Sequence, residues 1–161
     1  IQIELKDGNV IIELMTDVAP NHSNRIKELA REGFYDGVPF HRVIDGFMAQ
    51  TGDVEFGNST NDKYDLSRVG TGESNLPNLK AEFSNVAHEK GILSMARSAD
   101  PNSANSQFFI CLDDASHLDR NYTAFGKVIE GIKFVDNIKR GDSSSGSVSD
   151  PDIIISLRSA E

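Results

Sequence analysis

Short apolar runs of period two, each closed by a turn-forming pair, constrain this chain more than any other feature. Ile1, Ile3 and Leu5 alternate with polar residues, Val10, Ile12 and Leu14 do so again, and Asp7-Gly8 lies between the two runs. Alternation sets every second side chain on one face of a pleated strand, and Asp-Gly suits a tight hairpin turn. Residues 40–52 read as two further strands broken at Asp45-Gly46, and residues 91–96, 106–112, 124–128 and 153–157 as buried strands. Only two stretches have helical spacing. The first starts at Pro20, whose missing N–H is harmless in a first turn, and runs through Ile26, Leu29 and Ala30 to a capping Gly33. The second covers residues 132–140, with Gly141 as its cap.

About eight short strands with two helices argue for a closed antiparallel barrel, because closure leaves no sheet edge. A two-sheet sandwich with helices satisfies the same periodicity. Residues 54–78 are rich in Gly, Asn, Ser and Asp without a sustained period, so they are expected to form a long surface loop. Within it, 54–69 should be a solvent-exposed excursion that takes no part in the barrel. The serine-rich stretch 142–152 is a second expected loop.

At 161 residues the whole chain, Ile1–Glu161, is expected to be one domain. Its 25 acidic and 16 basic residues give a net charge of −9, a balance that disfavours nucleic acid and anionic membrane as partners. No apolar run approaches the ~18–20 residues of a membrane span. A monomer in the cytoplasm is expected, or in the periplasm if a leader preceded Ile1. Cys111 is the only cysteine, so neither an intrachain disulfide nor a cysteine-rich metal site is available.

Three local groups carry the chemistry. They are Phe40-His41-Arg42 continuing through Gly46-Phe47-Met48-Ala49-Gln50-Thr51-Gly52-Asp53; residues 91–97 with Asn105-Ser106-Gln107-Phe108-Phe109-Ile110; and His117-Leu118-Asp119 with Phe125-Gly126-Lys127-Val128. In order, spacing and content these resemble the cyclophilin family of peptidyl-prolyl cis-trans isomerases over nearly the whole chain. Met95-Ala96-Arg97 is most similar to bacterial members. The resemblance implies a mainly β fold, a closed eight-stranded antiparallel barrel capped by two α-helices, with a proline site on its outer face. It implies that Arg42 is the catalytic arginine, oriented by Gln50. Phe47, Met48, Phe109 and Leu118 would form the proline pocket. Ala96, Arg97 and Gln107 would contact the substrate backbone, and Thr71 and Gly72 would border a neighbouring side-chain pocket. His117 and Tyr122 also fall at substrate-facing positions. Period two independently places Gln107 and Phe109 on one strand face and Phe108 on the other, toward the core.

The implied partners are proline-containing peptides and unfolded or flexible protein segments. No cofactor is needed, since rotation about an amide requires neither a nucleophile nor a metal. Some positions depart from the family pattern. His117 stands where a tryptophan is frequent and Tyr122 where a histidine is frequent; 54–69 holds an insertion; the loop between Ala96 and Gln107 is one residue longer. Loss of the tryptophan's wide apolar face implies weak binding of cyclosporin.

Other readings compete. A proline-segment binding module or chaperone with incidental catalysis would use the same pocket, but retention of Arg42 with the whole pocket favours the enzyme. A hydrolase using Cys111 and His117 has no accompanying base or oxyanion motif. His41, beside Arg42, should project to the opposite strand face as a structural histidine, and Cys111 should be a buried, inert hydrophobe.

Overall fold

The computed structural model describes residues 1–160. Strands β1 (Gln2–Leu5) and β2 (Gly8–Leu14) precede helix α1 (Pro20–Arg31); β3 (Arg42–Ile44), β4 (Met48–Thr51), β5 (Ile92–Met95), β6 (Phe108–Cys111) and β7 (Ala124–Glu130) follow. Helix α2 (Ile132–Asp136) and strand β8 (Ser156–Arg158) complete the order, with one 3-10 turn at Ser116–Leu118. The strands form one eight-stranded sheet in the order β3-β4-β6-β5-β7-β2-β1-β8. Every pairing is antiparallel.

This sheet curls strongly but stays an open half-barrel, so the expected closed barrel is not formed. Its end strands β3 and β8 have three residues each and share no ladder. Isolated bridges, Pro39 to Ile153 and Arg42 to Ser147, stand in place of a ladder beside them. Pro39 and Pro151 lie in those flanking segments, and a proline has no N–H to continue a ladder. Irregular bonds fill the gap instead: Gly37 and Phe40 donate to the carbonyls of Ile154 and Asp152, and Val43 donates to that of Gly146.

Alternation sorts the strand side chains into two clusters. Val43, Ala49, Ile110 and Leu93 form one cross-strand row and point inward with Phe108, Phe125 and Tyr35. The outward residues Met48, Phe109 and Cys111 join Ile92, Ala115, Leu118 and Ala124 in a second, smaller cluster. Helix α1 contributes Ile26, Leu29 and Ala30 to the inner cluster, and its last turn ends at Gly33 with φ +72°. Burial of such side chains is worth ~1.5–3 kcal/mol each, so the inner cluster is the main source of stability and the outer one a local platform.

Several sequence expectations shift. In the first hairpin Leu5 pairs with Gly8, so Lys6-Asp7 make the turn. Gly8 is required for another reason: a Cβ there would lie 2.4 Å from the ring of Phe134 on α2. Helix α2 ends at Asp136 rather than reaching Arg140. Gly141 serves a close approach, since a Cβ on it would overlap the carbonyl of Gly146. The 54–69 excursion is exposed only in part: Val54, Phe56 and Asn58 are buried and Val54 belongs to the inner cluster, while 62–68 are exposed.

Candidate active site

The site begins as a row across three strands. The register sets Arg42 on β3 opposite Gln50 on β4, and Gln50 opposite Phe109 on β6. One step along, Ile44, Met48 and Cys111 form a parallel row on the same outer face. Directly opposed side chains in such rows stand ~4.5–5.5 Å apart at Cβ, so a guanidinium, an amide and an aromatic ring become neighbours through pairing alone.

This face floors a groove of about 650 Å³. Arg42 and Gln50 flank it; Phe47, Met48, Phe109 and Leu118 supply its apolar surface. Ala96, Arg97 and Tyr122 line one wall, Thr71 with Val69 and Gly70 another, and His117 stands at the rim with its ring 5.3 Å from Phe47. Gly72 and Gln107 do not line this groove. They line an adjoining hollow of about 410 Å³ that shares Gln50, Thr71, Ala96 and Arg97 with it. The structure therefore brings every sequence-expected site residue into one continuous depression.

A chain of hydrogen bonds orients the arginine. The Gln107 amide nitrogen donates to the carbonyl of Gly72 (3.0 Å), and its oxygen accepts from Gln50 Nε2 (3.0 Å). This fixes the Gln50 amide so that its oxygen faces Arg42 Nη1 (3.4 Å). Arg42 Nε donates to the carbonyl of Ser145 at 3.1 Å. Ser145 is in turn held by Asp142, whose carboxylate accepts from the backbone N–H groups of Ser144 and Ser145 and from both hydroxyls. These bonds keep the Asp142 carboxyl well below the usual carboxylate range. The sequence alone marks 142–152 as a loop and gives it no role in the site. The spacing Asp142, Ser144, Ser145 is that of an Asx turn, and that signal was present, but not what the turn would hold.

A second anchor sets the Thr71 side of the groove. Asp53 is fully buried, and its two oxygens accept from the N–H groups of Glu55 (3.0 Å), Phe56 (2.9 Å), Gly70 (2.8 Å) and Gly72 (2.9 Å). One carboxylate thus ties the start of the long loop and its Gly70–Gly72 turn to the strand that carries Gln50. His41 is displaced from its expected place. It lies just before β3, lines the groove, and packs its ring on Gly70, where a Cβ would come within 3.1 Å of it.

Behind Phe109 is a polar brace. The ring stacks on His88 (centroids 6.5 Å apart) and meets Tyr122 edge-on (6.0 Å). His88 Nε2 lies 2.9 Å from Ser94 Oγ, and Nδ1 lies 3.1 Å from Asp119. That order of atoms matches a hydrolase triad, but Ser94 is fully buried and His88 nearly so, and no substrate carbonyl can reach them. Burial holds the His88 imidazole below its ordinary value despite Asp119, so it is neutral at pH 7. Cys111 is likewise fully buried, and burial pushes its thiol up to about 12. The Cys111–His117 hydrolase reading is overturned, because a buried thiol at neutral pH is no nucleophile.

Comparison with known proteins matches residues 1–159 to the family described as cyclophilin type peptidyl-prolyl cis-trans isomerase/CLD. A probable peptidyl-prolyl cis-trans isomerase of Brucella suis is 57% identical over 155 residues, covering 95% of this chain and 78% of the relative. Peptidyl-prolyl cis-trans isomerase B of Bacillus subtilis is 40% identical over 139 residues, covering 86% and 89%. Among solved structures, a cyclophilin type isomerase of Cryptosporidium parvum, crystallised in the presence of the dipeptide Ala-Pro, aligns with TM-score 0.80 at 28% identity. It covers 96% of this chain and 94% of that one. Cyclophilin AquaCyp293 of Hirschia baltica gives TM-score 0.79 at 29% identity, covering 96% and 71%.

Proposed function

Since the chain belongs to the cyclophilin-type peptidyl-prolyl cis-trans isomerases, enzymes that accelerate rotation about X–Pro bonds, we propose that Arg42 drives that rotation by binding the twisted amide. A planar X–Pro amide is held by resonance behind a barrier of ~18–20 kcal/mol. At the perpendicular geometry conjugation is lost, and the proline nitrogen regains a lone pair that can accept a hydrogen bond. A guanidinium placed beside that nitrogen binds it more strongly at the twist than in the plane, which lowers the barrier rather than merely the KM.

The observation that carries this reading is the cross-strand row Arg42–Gln50–Phe109. A proline ring seated on Phe109, Met48 and Leu118 has the guanidinium two strands away, aimed by Gln50 and by the Ser145 carbonyl. Among the described residues no carboxylate lines the groove to compete for Arg42. The apolar floor adds to the effect, because a twisted amide is less polar than a planar one and loses less on leaving water. Proline-containing peptides and flexible protein segments are the substrates on this reading. Gly72 and Gln107 serve the neighbouring side chain in the adjoining hollow. His117 takes the rim position of the family's frequent tryptophan, so weak cyclosporin binding belongs to the same reading.

The test is isomerisation of an Ala–Pro tetrapeptide. A hydrogen bond to a charged group is worth ~1.5–3 kcal/mol, so Arg42→Ala should lose about 10- to 150-fold in kcat/KM. Arg42→Lys should also be poor, since an ammonium lacks the planar fork. Near-normal turnover by a folded Arg42→Ala protein would refute the mechanism.

A further inference from the structure

The charge of the groove runs against the charge of the molecule. The chain carries −9 overall, yet among the described residues the groove lining holds Arg42 and Arg97 and not one aspartate or glutamate. Carboxylates on the bordering segments are bonded within the protein: Asp45 with Arg140 (3.0 Å), Asp119 with His88 (3.1 Å), Asp142 with Ser144 and Ser145, and the buried Asp53 with the N–H groups of Gly70 and Gly72. Among the described residues Glu73 is the sole carboxylate in the adjoining hollow, and it does not line the groove itself.

Arg42 has its own task at the amide; Arg97 has none that needs a charge. Its Nη1 and Nη2 donate to the main-chain carbonyls of Ser98 (3.0 Å) and Asn121 (2.6 Å), and its guanidinium carbon lies 4.3 Å from the centre of the Tyr122 ring. These partners fix the plane of the group but bring no negative charge to neutralise it. A backbone contact to substrate could be made by any residue at this position, whereas a held, uncompensated guanidinium is specific to arginine.

Its distance from the proline seat sets which part of the substrate it meets. Tyr122 is 6.0 Å from Phe109, and the guanidinium is 4.3 Å from Tyr122, which together bound the Phe109–Arg97 separation at about 10 Å. An extended chain advances ~3.3 Å per residue and its side chains stand off the backbone, so a glutamate next to the proline spans this gap. Arg97 also borders both the groove and the adjoining hollow, where a neighbouring residue's side chain must pass.

We propose that Arg97 is a specificity-determining residue that selects substrates with an acidic residue next to the proline. This rests on the groove being the X–Pro site and adds a preference to it. The attraction acts on binding before the twist, so it enters KM more than kcat. Because Arg97 is partly open to water, salt weakens it.

The test is kcat/KM for tetrapeptides in which the residue before proline, and separately the residue after it, is Ala, Glu or Lys. Each is measured with wild type, Arg97→Gln and Arg97→Glu. The quantity read is the ratio of the Glu to the Ala peptide within one protein, which cancels general losses caused by the substitution. At low salt the wild type should favour Glu by about two- to fivefold at one of the two positions, the size of a water-exposed ion pair. Lys should be disfavoured there. The ratio should fall toward one at ~0.5 M salt, collapse in Arg97→Gln and invert toward Lys in Arg97→Glu. A wild type that turns over the Ala peptide without favouring Glu at either position overturns the inference and leaves the X–Pro assignment standing. So does a preference that survives in Arg97→Gln, which would transfer it to Arg42. No turnover of any peptide would overturn both.

Discussion

Gln50 touches no reacting atom on this reading; it acts by holding Arg42, and a double-mutant cycle can isolate that action. Replacing Gln50 by alanine removes two hydrogen bonds, one to Arg42 Nη1 at 3.4 Å and one to Gln107 at 3.0 Å. The first is long and solvent-facing, so it lies at the low end for a bond to a charged group, ~1–1.5 kcal/mol. Arg42 keeps its 3.1 Å bond to the Ser145 carbonyl, which limits the loss of orientation. Gln50→Ala should therefore lower kcat/KM by about five- to tenfold, mostly in kcat, with far-ultraviolet circular dichroism unchanged. In an Arg42→Ala background the same substitution should cost less than twofold, because nothing remains for Gln50 to orient. Gln107→Ala should give a smaller loss of the same pattern, since it leaves the Gln50 amide free to turn. The assay is X–Pro tetrapeptide isomerisation for wild type, both singles and the double. Additive losses across the cycle, with an interaction energy near zero, would refute the idea that Gln50 works through Arg42.

Cys111→Ala should leave turnover within a few-fold, and the native thiol should resist iodoacetamide at pH 7, because it is buried with its pKa pushed up to about 12; loss of activity in a folded variant would reopen thiol chemistry. Asp53→Ala should cost at least ~3 kcal/mol in denaturant unfolding, since it strips the acceptor from four main-chain donors. Trimming residues 59–67 should cost little by comparison, and equal losses from the two changes would contradict the division of this loop into buried and exposed parts. Stability should also fall as pH drops below about 6.5: burial lowers the pKa of His22, His41 and His88 from 6.5, so the unfolded chain takes up protons that the native state refuses. A thermal midpoint constant between pH 7.5 and 5.5 would count against burial of these rings.

Much of the site could be read from the chain because strand geometry is local. Period two alone sends Phe108 inward and Phe109 outward, and the structure puts them in separate clusters accordingly. The motifs around Arg42, Gln107 and His117 were distinctive enough to indicate the family and the residues lining the groove. Pro20 and Gly33 bounded α1 through backbone constraints that need no tertiary partner. What stayed hidden depends on contacts between residues far apart along the chain. Arg42 is aimed by a carbonyl 103 residues away, at Ser145, and Asp53 reaches 19 residues on to Gly72. Burial of Val54 could not be inferred from a segment whose composition is that of a solvated loop, because the apolar cluster that covers it belongs to other elements, while Phe56 is covered by Arg68 and Gly72 once its own loop has folded back. The place of His41 beside Gly70, 29 residues on, is a contact of the same long-range kind. The sheet stayed open for a reason of the same kind. Strand count and periodicity favour closure, but closure needs β3 and β8 to meet along a ladder, and whether two distant edges meet in register is decided only when the whole sheet has curled.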